Sequence, residues 1–173
     1  GVQHPDVANA SRAIKASEVE GCAKAGVKDI IELKVGYDGI VVAGSNKGKA
    51  YKLTRREIYL ALAKQIPDPA NPTALIANPY KTWNQVNKAF PADKIEVLGP
   101  PPTSGTRDAF LELVMEPGCT SFAWIKSLKD VDEARFKRVC HSIREDGGYV
   151  EAGENDNLIV QKLEANPKAL GIF

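Results

Sequence analysis

The sequence has little of what marks most simple function classes. It holds 3 cysteines, 2 histidines and 1 methionine in 173 residues. No two cysteines form a CxxC pair, and two histidines are poor raw material for a structural zinc site, so no metal or other cofactor is expected. No window approaches the roughly 18–20 apolar residues of a membrane-spanning helix. The longest apolar stretches, such as Ile40-Val41-Val42-Ala43, are strand-sized. Charge of one sign is also missing: 23 Lys+Arg stand against 22 Asp+Glu, a formal net charge of +1. That removes the basic footprint of a nucleic-acid partner but leaves room for a local basic site that attracts a small anion. The opening residues Gly1-Val2-Gln3-His4-Pro5-Asp6 lack the basic and apolar segments of a signal peptide. Internal repeats and low-complexity tracts are absent. With 43% hydrophobic and 26% charged residues, the chain has the composition of a folded domain and not of a disordered one.

What is present is an alternation of short β-type runs with helical segments, the pattern of an α/β architecture with crossover helices. Ser17-x-x-Glu20 has the form of a capping box and opens a helix that should stop at Gly26. From Asp29 to Val35, Ile31, Leu33 and Val35 alternate on one face. Tyr37-Asp38-Gly39 reads as a turn, and Ile40 to Ala43 as a buried strand. A second capping box, Thr54-x-x-Glu57, begins a helix that should run to Pro67. Residues 67–80, with four prolines, read as a loop. Trp83 to Phe90 reads as a short helix and Ile95 to Leu98 as a strand. Asp130 to Glu145 and Asn155 to Ala165 read as helices, and Ala169 to Phe173 as a last strand. A chain seldom stops on a core strand, so the sequence reads as a piece of something longer.

The informative stretch is the Gly/Pro-rich run from Gly99 into Ser104-Gly105-Thr106-Arg107, between a strand and a helix. A helix start offers unpaired N–H groups and about half a positive charge, which suits an anion. Gly105 admits a ligand close to the backbone. Ser104 and Thr106 add hydroxyls, and Arg107 adds a planar fork that matches two oxygens at once. The same residues also read as a plain helix cap followed by a solvated arginine. The run is neither a Walker loop nor a dinucleotide fingerprint. Asp6-Val7-Ala8-Asn9-Ala10-Ser11-Arg12 reads either as a helix cap or as a second contributor, through Ser11 and Arg12, to the same anion. Glu154-Asn155-Asp156-Asn157 is most simply an acidic helix start. A rival reading makes Ser104 a nucleophile with His141 and Asp156, but the G-x-S-x-G spacing fails.

Pro102-Thr103-Ser104-Gly105-Thr106-Arg107-Asp108-Ala109-Phe110 resembles the phosphate loop of the phosphate-binding proteins of bacterial ABC importers. Asp6 to Arg12, Gly36 to Ala43, Gly153 to Asp156 and Leu170 to Phe173 resemble further segments of that family in the same order. The resemblance spans essentially the whole chain. It implies an α/β fold of the type II periplasmic binding protein kind, with residues 1–39 a partial first lobe and 40–173 a nearly complete second lobe. It implies a periplasmic receptor, not an enzyme, that binds inorganic phosphate between lobes and delivers it to a membrane permease. Ser11, Ser104, Gly105, Thr106 and Arg107 would be the ligand set. It also implies that Cys119 and Cys140 pair, leaving Cys22 without a partner in the chain; three reduced thiols are the alternative. Two departures from the family pattern matter. Ser11 stands where some members carry an aspartate that senses the proton of monohydrogen phosphate. Pro100-Pro101-Pro102 stands where some carry an arginine. A module for sulfate or molybdate, and a phosphoester hydrolase, therefore stay open as alternatives.

Overall fold

A computed structural model describes residues 6–10 and 12–173. The chain divides into two compact units, Gly1–Gly39 and Ile40–Phe173. In the first, α1 spans Ala16–Lys24. Its start lies two residues earlier than Ser17 implies: the Lys15 N–H donates to the Glu18 carboxylate at 2.9 Å, so Glu18 closes the cap. Gly26 follows the helix at φ 93°, a left-handed stop that glycine adopts without a side-chain clash. Residues 29–35 form no strand, and Ile31, Leu33 and Val35 are exposed. Alternation alone does not make a strand; the backbone also needs a ladder partner, and this segment has none among the described residues.

The second unit carries the core. Its strands are β1 (Val42–Gly44), β2 (Gln65–Pro67), β3 (Leu75–Ala77), β4 (Val97–Gly99), β5 (Tyr149–Glu151) and β6 (Leu170–Ile172). Four form one sheet in the order β1-β6-β4-β5, with β4 parallel to both β5 and β6, and β1 antiparallel to β6. Helices join the parallel strands, so both faces of the sheet are covered. Val97, Leu170 and Ile172 pack into the large core, while Leu98 turns the other way onto Ile159 and Leu163 of α8 (Asp156–Ala165). The Ile40–Ala43 run lies at the sheet edge. Its strand begins at Val42, and Val41 is exposed, not buried.

Other elements differ from their expected bounds. Helix α2 (Arg55–Leu62) keeps the capping box, with the Glu57 N–H donating to the Thr54 hydroxyl at 3.2 Å. It ends before Pro67, because the Asn78 amide donates to the carbonyls of Leu60 and Ala63, both at 2.8 Å, and closes the helix there. Ile66 then sits in a hairpin: β2 pairs with β3 where a loop was expected. Helix α3 is short, Trp83–Val86. After β4, α4 (Gly105–Phe110) continues through a π-helical turn, Leu111–Met115, into α5 (Glu116–Cys119). Pro117 lacks the N–H that a regular α-helix would use there, which fits the widened turn before it. Next come α6 (Ala123–Val131) and α7 (Glu133–His141); Asp132 separates them by accepting the Arg135 N–H at 2.9 Å. The expected continuous helix 130–145 is thus two helices, and its buried face is Phe136, Val139 and Cys140, with Val131 exposed. Cys119 and Cys140 are disulfide-bonded with their Cα atoms 5.5 Å apart, and Cys22 is free. Closing that loop favours the folded unit by about 3 kcal/mol.

Candidate functional site

The site is built where β4 hands over to α4. Ser104 is buried, and its hydroxyl accepts the Thr106 N–H at 3.2 Å, so it caps the helix as its position implies. Its own N–H donates to the Pro101 carbonyl at 3.0 Å, which fixes the Pro-rich turn against the helix start. Gly105 and Thr106 are half-buried. From Gly105 to Cys119 the helical segments follow one another without a break.

Arg107 is 8% exposed, and with Arg144 it is one of two buried charged side chains among the described residues. Its Nη1 donates to the Pro100 carbonyl at 3.1 Å. Its guanidinium lies 4.5 Å from the centre of the Tyr149 ring, a cation–π contact. Among the described residues its Nε is buried without a hydrogen-bond partner, and no carboxylate forms an ion pair with it. Tyr149 in turn donates its hydroxyl to the same Pro100 carbonyl at 2.6 Å. Burial raises the Tyr149 pKa above the ordinary phenol value, so it stays a neutral donor. A recess of about 210 Å3 is lined by Arg107, Tyr149, Pro102, Arg144, Glu145 and Glu151. Ser104, Gly105 and Thr106 do not line it. A larger recess of about 370 Å3 runs along β1 beside Ser45, Asn46 and Lys49, and holds none of the residues singled out from the sequence.

Of the sequence-derived set, Ser104, Gly105, Thr106 and Arg107 occupy consecutive positions at the head of one helix. Ser11 lies outside the described residues. Arg12 is engaged elsewhere: its guanidinium donates to both Glu18 carboxylate oxygens, at 2.7 and 2.9 Å, and holds the Glu18 pKa at about 2. The triad reading loses its base, because His141 Nε2 meets Glu116 at 3.1 Å while the Ser104 hydroxyl serves the Thr106 N–H. Sequence reasoning missed Tyr149, although Gly147-Gly148-Tyr149-Val150-Glu151 has the punctuation of a short strand.

The described residues thus present an α/β unit with a buried arginine at a helix start beside a small recess, and among them no helix is long and apolar enough to cross a membrane. The family follows from comparison: a family model described as the PBP superfamily domain matches residues 2–173, and the chain belongs to that family. The protein SphX of Synechococcus elongatus is 28% identical over 168 residues, covering 97% of this chain and 39% of that protein. The phosphate-binding protein PstS of Staphylococcus saprophyticus is 28% identical over 173 residues, covering 97% of this chain and 40% of that one. The chain therefore spans about two fifths of the length of the curated relatives it matches. Among solved structures, a possible phosphate binding protein from Planctomyces limnophilus aligns with a TM-score of 0.49 at 21% identity, covering 94% of this chain and 44% of that chain.

Proposed function

We propose that the protein is a periplasmic receptor that holds inorganic phosphate in a cleft between two lobes and passes it to the permease of an ABC importer, without chemical change. The ligand set is Ser104, the Gly105 N–H, Thr106 and Arg107, joined by Ser11. One observation carries the reading: among the described residues Arg107 is a buried cation with a free Nε and no counter-ion. Burying a charge without a partner is costly, and an arriving anion supplies the missing partner. The name of the Staphylococcus relative supports phosphate as that anion. Sulfate and molybdate share the tetrahedral shape and remain the competing ligands.

Titration calorimetry of the intact protein with phosphate tests this. The expected result is micromolar or tighter binding, abolished in Arg107→Ala, with sulfate competing poorly. No heat with phosphate overturns the proposal. Tighter binding of sulfate or molybdate transfers it to those ions. Hydrolysis of a chromogenic phosphate ester, lost in Ser104→Ala, would make the protein an enzyme instead.

A further inference from the structure

Only the Gly147-Gly148 punctuation marks β5 in the sequence, yet this strand backs Arg107. Two contacts join Tyr149, the first residue of β5, to the arginine and to the loop after β4. The ring lies against the guanidinium at 4.5 Å. The Tyr149 hydroxyl and Arg107 Nη1 both donate to one acceptor, the Pro100 carbonyl, at 2.6 and 3.1 Å. A single oxygen therefore fixes ring and fork relative to each other. The approach depends on residue 99 being glycine, since a Cβ there would run into the Tyr149 hydroxyl.

The arrangement decides which edge of the guanidinium is left over. The fork carries five N–H donors in one plane. Nη1 is turned toward Pro100. Among the described residues, Nε is buried and unpartnered, and Nη2 makes no hydrogen bond. Nε and Nη2 present two parallel N–H bonds whose spacing matches two oxygens of one tetrahedral anion. Arg107 itself lines the adjoining recess.

We propose that Tyr149 is a positioning residue for Arg107: with the Pro100 carbonyl it occupies Nη1, so that the oxyanion is taken side-on by the Nε–Nη2 edge. This rests on the oxyanion reading above and adds the orientation of the arginine and the residue that imposes it. Tyr149 touches no ligand in this arrangement. Lysine at position 107 keeps the charge but has no such edge, so Arg107→Lys should bind phosphate measurably but more weakly than the wild type.

The test is nitrogen-15 NMR of the arginine side chains of the intact protein, titrated with inorganic phosphate, alongside calorimetry. In the wild type the Arg107 Nε–H signal is expected to move on adding phosphate and to exchange more slowly with water. Tyr149→Phe keeps the ring and loses the hydroxyl, and should weaken phosphate binding by about tenfold or less. Tyr149→Leu removes both contacts and should weaken it by roughly tenfold to a hundredfold, with the Nε–H shift lost. In an Arg107→Lys background the same Tyr149 changes should cost no further affinity, the coupling expected of residues that act through one another. If Tyr149→Leu fails to fold, Tyr149→Phe alone still decides. An unmoved Nε–H with phosphate bound, or equal Tyr149 losses in both backgrounds, overturns this inference alone. Absence of phosphate binding by the wild type overturns the oxyanion reading, and this inference with it.

Discussion

Around Arg144, between α7 and β5, nearly every donor has found an acceptor. Nε and Nη2 meet the two oxygens of Asp146 at 2.6 and 2.7 Å, and Nη1 reaches the carbonyls of Ala61 and Tyr80 at 2.9 and 2.7 Å. Lys81 adds a second cation to Asp146. Around Arg107, at the head of α4, a similarly buried guanidinium has one carbonyl, one aromatic face and, among the described residues, no anion. Both regions hold an arginine taken out of water, so burial does not distinguish them. What differs is completion. The first region ties α2, the segment before α3 and the start of β5 into one knot. The second leaves its strongest donors unspent. A buried charge that is satisfied contributes to holding a fold together, whereas one that is unsatisfied opposes folding and favours whatever binds it.

The sharpest way to break this comparison is Arg144→Met. It strips Asp146 of its fork and leaves the Ala61 and Tyr80 carbonyls without a donor. Removing one partner of a fully buried pair costs about 3–5 kcal/mol; Asp146 keeps 39% of its side chain exposed and can rehydrate, so a loss near 3 kcal/mol is expected. Urea unfolding measures it, and unchanged stability would erase the difference between the two regions. Arg107→Met should behave in the opposite way. The variant loses one carbonyl bond and the contact with Tyr149, and is relieved of an unpaired charge. Its stability should stay within about 1 kcal/mol of the wild type while phosphate binding disappears.

The two regions were also unequally legible in the sequence. Ser104-Gly105-Thr106-Arg107 could be read because a helix cap is a local device: a hydroxyl, two residues and a turn suffice. The completion of Arg144 could not, because its acceptors come from residues 61, 80 and 146, and only folding brings those together. Tyr149 escaped for a related reason. A three-residue strand after Gly147-Gly148 carries too few positions to show a period, and its place in the sheet is set by pairing with Val97 to Gly99. The Ile31, Leu33 and Val35 alternation shows the reverse error, a clear period without the partner strand that would give it meaning. Pro67 reads as a helix stop, but α2 already ends at Leu62, closed by the Asn78 amide from 15 and 18 residues away. Local signals survived; those that depend on a distant acceptor did not.

The smallest effect, and the most selective, is in the response to acid. Arg144 above all, then Lys81, holds the Asp146 carboxyl well below the usual aspartate range. A carboxylate whose pKa is depressed by folding contributes stability that is present above its unfolded value, near 4, and is lost as pH falls through that value toward the folded one. Wild type and Arg107→Met share this contribution, so both should lose it on acidification from about pH 4 downward. Arg144→Met lacks most of it. The stability gap between wild type and Arg144→Met should therefore narrow from pH 7 to pH 3. Glu116 does not disturb the comparison. Burial pushes its pKa up, but Lys129 and His141 outweigh that and bring it below the usual glutamate range, equally in each variant. High salt should narrow the gap further at pH 7, because Asp146 is partly exposed and its pairing is partly screened. Urea midpoints at two pH values and two salt concentrations measure this. A gap that stays constant with pH would mean that Arg144 acts through the Ala61 and Tyr80 carbonyls alone, and that the ion pair adds nothing to the knot.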